Sequence, residues 1–158
     1  MENVEEKNPK NKWGQTPLHE ASQNGHLSIC ELIITNIKGK NSKHGNVEDI
    51  NPKNMYGTTP LHKAAINGHL SICKLIIKNI EDKNPEDHDG DTPLHRAAHQ
   101  GHLSICKLII ENVKNKNPAN VFGVTPAQLA IEKNHFEVFQ LFSNDADAKN
   151  ILLDHCRQ

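Results

Sequence analysis

Apolar residues recur at helical spacing in a short stretch near the start of the chain. Leu18 and Ala21 fall on one side of a helix that the pattern predicts over 17–24. Thr16 suits the N-cap of this helix because its hydroxyl can accept an exposed backbone N–H. Pro17 suits the first helical position, where its missing N–H costs nothing. The pattern therefore predicts a short helix with one buried side.

A second apolar stretch follows a turn at Gly25 and predicts a second helix over 27–35. The residues that we expect to face inward are Leu27, Cys30, Leu32 and Ile33 or Ile34. Two helices this short cannot bury their apolar stripes against each other alone. Such pairs are stable only when they stack on neighbouring pairs.

The same pattern repeats along the chain. Thr-Pro-Leu-His at 16–19 recurs at 59–62 and 92–95, and a decayed form stands at 125–128, so the spacings are 43, 33 and 33 residues. Each unit opens with Asn-Pro and has a glycine two residues before the threonine. The first three units continue with Gly-His and Leu-Ser-Ile-Cys. A fixed period of this length indicates a repeat protein.

These residues resemble the ankyrin-repeat family, whose signature T-P-L-H-x-A stands in the first three units. The resemblance covers about 8–142 and implies an all-α solenoid of stacked helix-turn-helix units with hairpin-like finger loops. We expect one domain over 1–158. Its predicted parts are repeats at 8–50, with an insertion at 38–49, then 51–83, 84–116 and 117–142, and a C-terminal capping segment at 143–158.

The second helix departs from the family pattern at its end. The resemblance implies a closing glycine, but β-branched residues stand there, and these are poor in the left-handed conformation. The three residues are Ile37, Ile80 and Val113. We expect this helix to end differently, about one turn later, with the preceding asparagines as caps: Asn36, Asn79 and Asn112.

The two ends of the array differ in sequence. Residues 2–9 resemble 111–118, so the chain opens on the tail of a second helix, and repeat one lacks the polar remodelling of a terminal repeat. We expect either a longer array or end-on self-association through this uncapped repeat, and a short protein with a tolerated end is the alternative. Repeat four resembles a cap, with Gln128 for histidine and Asn134 for glycine.

The insertion at 38–49 is rich in Gly, Lys and Asn and predicts a solvated loop. Long loops are often functional, but a neutral insertion costs little. Both interpretations stay open at this point.

Composition narrows the classes of protein. Only 35% of residues are hydrophobic and 4% aromatic, which favours a thin core. The net charge is −1, and 16 of the 18 basic residues are Lys, so a nucleic-acid partner is disfavoured. No apolar run approaches the ~20 residues of a membrane span, and the charged start does not resemble a signal peptide. We expect an intracellular protein, in the cytoplasm or nucleus, that binds neither membranes nor nucleic acid.

Histidines and cysteines invite a metal or disulfide interpretation that their spacing disfavours. Members of each repeated set should lie about 8–10 Å apart, too far to converge on one zinc ion or to form a disulfide. The sets are His19, His62 and His95; His26, His69 and His102; and Cys30, Cys73 and Cys106. We expect hydrogen-bonded histidines, buried reduced cysteines and no cofactor.

Catalytic motifs fail on inspection. His19-Glu20 begins like a zinc-protease motif, but Gln23 stands where the second histidine is needed. The acidic stretch at 87–91 resembles a calcium loop, but its glycine is misplaced and Ala98 occupies the twelfth position. We therefore expect no enzymatic activity.

Function must then lie on the surface that the repeated residues leave free. The resemblance implies binding of a partner protein through the finger tips and the concave face of the first helices. The candidate residues are Lys12, Trp13, Gln23, Met55, Tyr56, Ile66, Asn67, His88, Asp89, His99, Gln100, Val121 and Phe122. Three aromatics occupy the same position in their repeats, namely Trp13, Tyr56 and Phe122, and either anchor a partner or only pack on adjacent fingers.

The leading interpretation is thus a non-catalytic protein-interaction module. An inhibitor that masks a transcription-factor or enzyme surface is one alternative, and a targeting domain of a larger enzyme or channel is another. A small-molecule or metal site has little support.

Overall fold

The structure is a computed structural model that describes residues 9–39 and 50–142. This part of the chain contains eight α-helices and one 3₁₀ turn, and no strand. The helices are α1 (Pro17–Gln23), α2 (Leu27–Lys38), α3 (Pro60–Ile66), α4 (Leu70–Asn79), α5 (Pro93–Gln100), α6 (Leu103–Asn112), α7 (Pro126–Glu132) and α8 (Phe136–Phe139), followed by the 3₁₀ turn at Gln140–Phe142. The all-α prediction is confirmed.

The helices form four antiparallel pairs that stack in chain order. The first helices α1, α3, α5 and α7 pack in one layer, and α2, α4, α6 and α8 pack in a second layer behind them. Leu18, Leu61 and Leu94 lie between the layers and are fully buried. Each such leucine contributes about 1.5–3 kcal/mol by leaving water. The core is therefore a narrow band that runs the length of the stack.

The first helices begin as the sequence predicts. Thr59 has an extended conformation at the N-cap of α3, its hydroxyl accepts from the N–H of His62, and Pro60 occupies the first helical position. The asparagine of each described Asn-Pro adds a further cap, since Oδ1 of Asn51 accepts from the N–H of Leu61 at 3.0 Å. These hydrogen bonds join the loop to the helix within a single repeat, without a contribution from the neighbouring repeats.

The second helices end without a left-handed residue, as expected. Ile80 follows α4 in an extended conformation with φ −125°. Asn79 caps the helix by donating from Nδ2 to the carbonyl oxygen of Leu75, and Lys83 donates to the carbonyls of Ile77 and Ile80. Helix α2 runs about one turn beyond 35, but α4 and α6 end one residue beyond the equivalent position. The predicted lengthening is therefore found in α2 alone.

One side chain that we expected to face inward does not. Leu32 is 62% exposed, whereas its equivalents Leu75 and Leu108 pack against the core. Ile29 lies one helical turn away on the same face and is 48% exposed, whereas its equivalent Ile72 is 1% exposed. In later repeats the preceding pair covers this face. No described residue covers it in repeat one.

The three cysteines Cys30, Cys73 and Cys106 are buried and reduced. Burial raises the pKa of the Cys73 and Cys106 thiols to about 12. These side chains therefore act as small apolar core residues.

Repeat four ends the described stack with altered turn residues. Asn134 has φ 61° where the other repeats have glycine with φ 77–78°. A Cβ on Gly68 would lie 2.8 Å from the ring of His102, which the next repeat places against it. The Cβ of Asn134 occupies the corresponding place. Several expectations fall outside the described residues: the insertion beyond residue 39, the start at 1–8 and the segment at 143–158.

Candidate protein-binding surface

Four finger loops precede the first helices, at 9–15, 51–58, 84–91 and 117–124. Each is closed by one side-chain oxygen that accepts two backbone N–H groups, in the manner of an Asx turn. In the second finger Oδ1 of Asn54 accepts from Tyr56 and Thr58 at 2.9 and 3.0 Å. The same role falls to Asn11, Asp87 and Asn120. The acidic stretch at 87–91 is thus a finger turn.

Main-chain hydrogen bonds join the finger tips into a row. The N–H of Met55 donates to the carbonyl of Trp13 at 3.0 Å, and the N–H of His88 donates to the carbonyl of Tyr56 at 3.1 Å. The N–H of Val121 donates to the carbonyl of Asp89 at 3.0 Å. Each bond links a finger to the next one, so side chains at the tips keep fixed relative positions.

The Thr-Pro-Leu-His histidines support this row from below. Nδ1 of His62 accepts the N–H of Thr59 at 3.2 Å, so the ring proton lies on Nε2, which donates to the carbonyl of Asp91 at 3.0 Å. His19 and His95 make the same contacts with the fingers that follow them. Both ring nitrogens are therefore occupied and unavailable to a metal.

Burial keeps these rings neutral. It lowers the pKa of His19 and of His62 to about 4, against a partial rise from the hydrogen bonds to backbone carbonyls. The pKa of His95 is lowered for the same reason. The Thr-Pro-Leu-His ladder is thus an uncharged structural element at neutral pH.

The Gly-His histidines point the other way along the stack. Nε2 of His69 donates to the carbonyl of Gln23 at 3.1 Å, and His102 and His135 repeat the contact with Ile66 and His99. The carbonyls are acceptors only, so each ring carries its proton on Nε2 here as well. The prediction that the repeated histidines bond within and between turns is confirmed for five of its six rings, whereas no side-chain hydrogen bond of His26 is found within the described residues. His135 of repeat four makes the same contact.

Large apolar side chains stand exposed along the finger tips. Trp13, Tyr56 and Phe122 are 46, 59 and 74% exposed, and Met55 and Val121 are exposed beside them. We call these five residues the apolar finger row. Nζ of Lys12 lies 4.2 Å from the centroid of the Trp13 ring, over one of its faces. The three rings are exposed to solvent, and their role as anchors for a partner stays a prediction.

The third finger interrupts the row with charge. The Arg96 guanidinium lies 2.7 Å from the Asp87 carboxylate and 3.3 Å from that of Asp91. Burial opposes ionisation of Asp87, but Arg96 outweighs it and holds the pKa of that carboxyl below its usual value. Glu86 and Asp89 are exposed and have no ion pair among the described residues. His88 lies against Gly57 of the second finger.

The candidates on the first helices lie at the C-terminal ends of α1, α3 and α5, about 10 Å along each helix from the end that adjoins its finger. Asn67 donates from Nδ2 to the carbonyl of Lys63 at 2.9 Å, so its amide nitrogen caps α3. Ile66 and His99 are half-buried, and Gln23 and Gln100 are exposed. No side-chain hydrogen bond is found for Gln23, His99 or Gln100 within the described part, and Ile66 adds an apolar side chain to this surface.

Sequence reasoning missed three exposed apolar residues away from the fingers: Ile29, Leu32 and Phe136. Ile29 has the same residue type as its buried equivalents, and Leu32 the same type as its partly buried ones, so only the place in the array distinguishes them. Phe136 begins α8 in the altered fourth repeat. These residues offer a matched comparison for the finger row.

None of the helices in the described part is long and apolar enough to cross a membrane. Residues 2–87 and 79–151 match a family model for ankyrin repeats in three copies. No curated protein matches the chain. Ankyrin repeats generally serve to bind other proteins, and the family is typically non-catalytic. The chain belongs to the ankyrin-repeat family.

Proposed function

We propose that this protein is a non-catalytic module that binds a partner protein through the apolar finger row and the concave face of the first helices. The observation that carries the proposal is the exposure of five large apolar side chains on loops that main-chain hydrogen bonds hold in line. Exposing such groups to water is unfavourable, and apolar side chains clustered on one edge and bordered by charge are typical of a binding site. Their rigidity reduces the entropy lost on binding.

The described geometry gives chemistry little support. The buried histidines have both ring nitrogens engaged, and the acidic third finger is bound to its own backbone and to Arg96. The surface offers large apolar groups with charges beside them, which suits recognition of another polypeptide. Buried reduced cysteines agree with residence in the reducing cytoplasm or nucleus.

Two finer functions use the same surface. The module acts as an inhibitor if its partner's own active or DNA-binding surface is covered, and as a targeting domain if the partner only anchors a larger assembly. The identity of the bound protein separates them. The candidate residues are the same in both cases.

Affinity capture with a matched control tests the proposal. The test variant carries Trp13→Ala, Tyr56→Ala and Phe122→Ala, and the control carries Ile29→Ala, Leu32→Ala and Phe136→Ala. Both remove three exposed apolar side chains, so nonspecific stickiness falls in both. Circular dichroism and thermal melting confirm that both remain folded.

We expect the parent chain and the control variant to capture the same protein. The finger variant, with Trp13→Ala, Tyr56→Ala and Phe122→Ala, should fail to capture it. Isothermal titration with that purified protein should then give an affinity at least about tenfold weaker for the finger variant than for the parent chain. Exposed aromatic anchors dominate such interfaces. Equal capture by both variants overturns the placement on the fingers.

A further inference from the structure

The four fingers differ in charge and apolarity. The order of charged and apolar groups along them indicates which side chains a bound partner should carry. The first finger carries Lys10 and Lys12 beside Trp13, the second presents Met55 and Tyr56, and the third presents carboxylates. The fourth finger, 117–124, has no charged residue and presents Val121 and Phe122. A partner that covers all four fingers meets these groups in this order.

The acidic third finger has charge left to offer. Arg96 is committed to Asp87 and Asp91, and Asn120 donates to Asp91 at 2.8 Å from the next finger. Asp89 stands at the position of the three aromatics, and its carboxylate makes no hydrogen bond among the described residues. A basic side chain is the natural complement at this point, since it neutralises Asp89 and Glu86 without displacing Arg96.

The spacing of the fingers converts this order into a pattern of residues. Stacked helix pairs lie about 8–10 Å apart. A segment in the polyproline II conformation rises about 3.1 Å per residue and directs every third side chain to the same side. One finger therefore corresponds to three residues of an extended segment. The whole row, from Trp13 to Phe122, corresponds to about ten residues, whereas a helix at 1.5 Å per residue needs about twice as many.

We propose, building on the proposed function, that the finger row binds a segment of a partner protein in the extended polyproline II conformation, with a Lys or Arg placed three residues from an apolar residue on each side. The basic residue lies on Asp89 and Glu86, and the flanking apolar residues lie on the Met55–Tyr56 and Val121–Phe122 pairs. A further apolar residue lies on Trp13, three residues beyond the first. The segment reads apolar-x-x-apolar-x-x-basic-x-x-apolar in one direction or the other.

Selection from a random library of 12-residue peptides tests the inference directly. A peptide of this length spans the row only when extended. Binders to the parent chain are counter-selected against the Trp13→Ala, Tyr56→Ala, Phe122→Ala variant, so that only peptides seated on the fingers remain. The inference expects these peptides to share a basic residue with apolar residues three positions away on both sides.

Substitutions at the third finger test the charge separately. Glu86→Gln with Asp89→Asn should weaken selected peptides about three- to tenfold, as expected for exposed ion pairs, and the loss should shrink at high salt. Glu31→Gln with Glu111→Gln removes the same charge from exposed positions on α2 and α6 and should leave affinity unchanged. Asp89→Lys should switch the selected basic residue to Glu or Asp.

The possible results distinguish failure of the predicted residue pattern from failure of the proposed binding by the finger row. Finger-dependent peptides without the basic residue, with a seven-residue apolar spacing, or with equal response to the two charge-removing variants overturn this inference and leave the proposed function standing. A library that yields no peptide dependent on Trp13, Tyr56 and Phe122 counts against both.

Discussion

Nε2 of His62 in α3 donates to the carbonyl oxygen of Asp91 across 3.0 Å, while Nδ1 of the same ring accepts the N–H of Thr59. A single buried side chain thereby caps its own helix and holds the finger of the next repeat. The position of the third finger, and of its carboxylates, depends on this contact.

Replacing His62 with alanine should lower the free energy of unfolding by about 2–4 kcal/mol, because two buried backbone groups lose their partners and a cavity forms. His62→Gln should cost less, since Oε1 of Gln128 accepts the N–H of Thr125 at 2.7 Å in repeat four and keeps half of the arrangement. Urea denaturation of both variants measures the difference. His26→Ala, at an exposed position, is the control and should change stability by under ~0.5 kcal/mol.

Stability should fall as the pH drops from about 6.5 to 4. The pKa of His19 and of His62 is about 4 in the folded protein and near 6.5 when unfolded, so the unfolded chain binds more protons in this range. The loss at pH 4 is on the order of 3 kcal/mol for each histidine. Above about pH 7 these groups contribute no pH dependence.

Unfolding by urea at pH 7, 6 and 5 checks this expectation. His62→Gln should have a smaller slope of stability against pH than the parent, because it removes one buried ring whose pKa is lowered. Equal slopes for the parent and His62→Gln would show that His62 is not buried as a neutral ring.

Alanine at two glycines should separate backbone strain from crowding between fingers. Gly57 and Gly123 have φ 75° and 77°, but a Cβ on Gly57 would lie 2.7 Å from the N atom of His88, and one on Gly123 would meet nothing within 4 Å. Gly123→Ala should cost about 1 kcal/mol for its left-handed conformation. Gly57→Ala should cost clearly more, because backbone must move. Thermal melts compare them, and equal costs would contradict the close approach of the fingers.

Alanine substitutions of the equivalent Ile72 and Ile29 should differ in their cost to stability, because no described residue covers the Ile29 face of repeat one. Ile72→Ala should cost about 2–5 kcal/mol because the side chain is buried between repeats, and Ile29→Ala should cost under ~1 kcal/mol. Self-association through this face stays a prediction. Sedimentation of the parent and Ile29→Lys checks it, since a dimer that persists in the variant does not use this face.

Much of this arrangement is legible in the sequence because each rule is local. Thr16 and Pro17 predict where a helix begins, and three copies of one motif predict that the helices stack. The prediction that Leu32 faces inward is wrong because its residue type and spacing match those of partly buried Leu75, and only the absence of a described neighbour differs. The contact between Arg96 and Asp87 was likewise out of reach, since it depends on how the finger folds back over α5. The partner-binding role of the finger row stays a prediction.

Asn134 affects whether a second copy of the repeats can stack on repeat four. A solenoid whose two ends are complementary can add copies of itself without limit, as a head-to-tail filament. Among the described residues, Ile29 and His26 stand exposed on repeat one, but the Cβ of Asn134 takes the space on repeat four that the ring of a second copy's His26 would need. The Cβ of Asn134 thus disfavours head-to-tail stacking of the described repeats of two copies, and Asn134→Gly removes that obstacle.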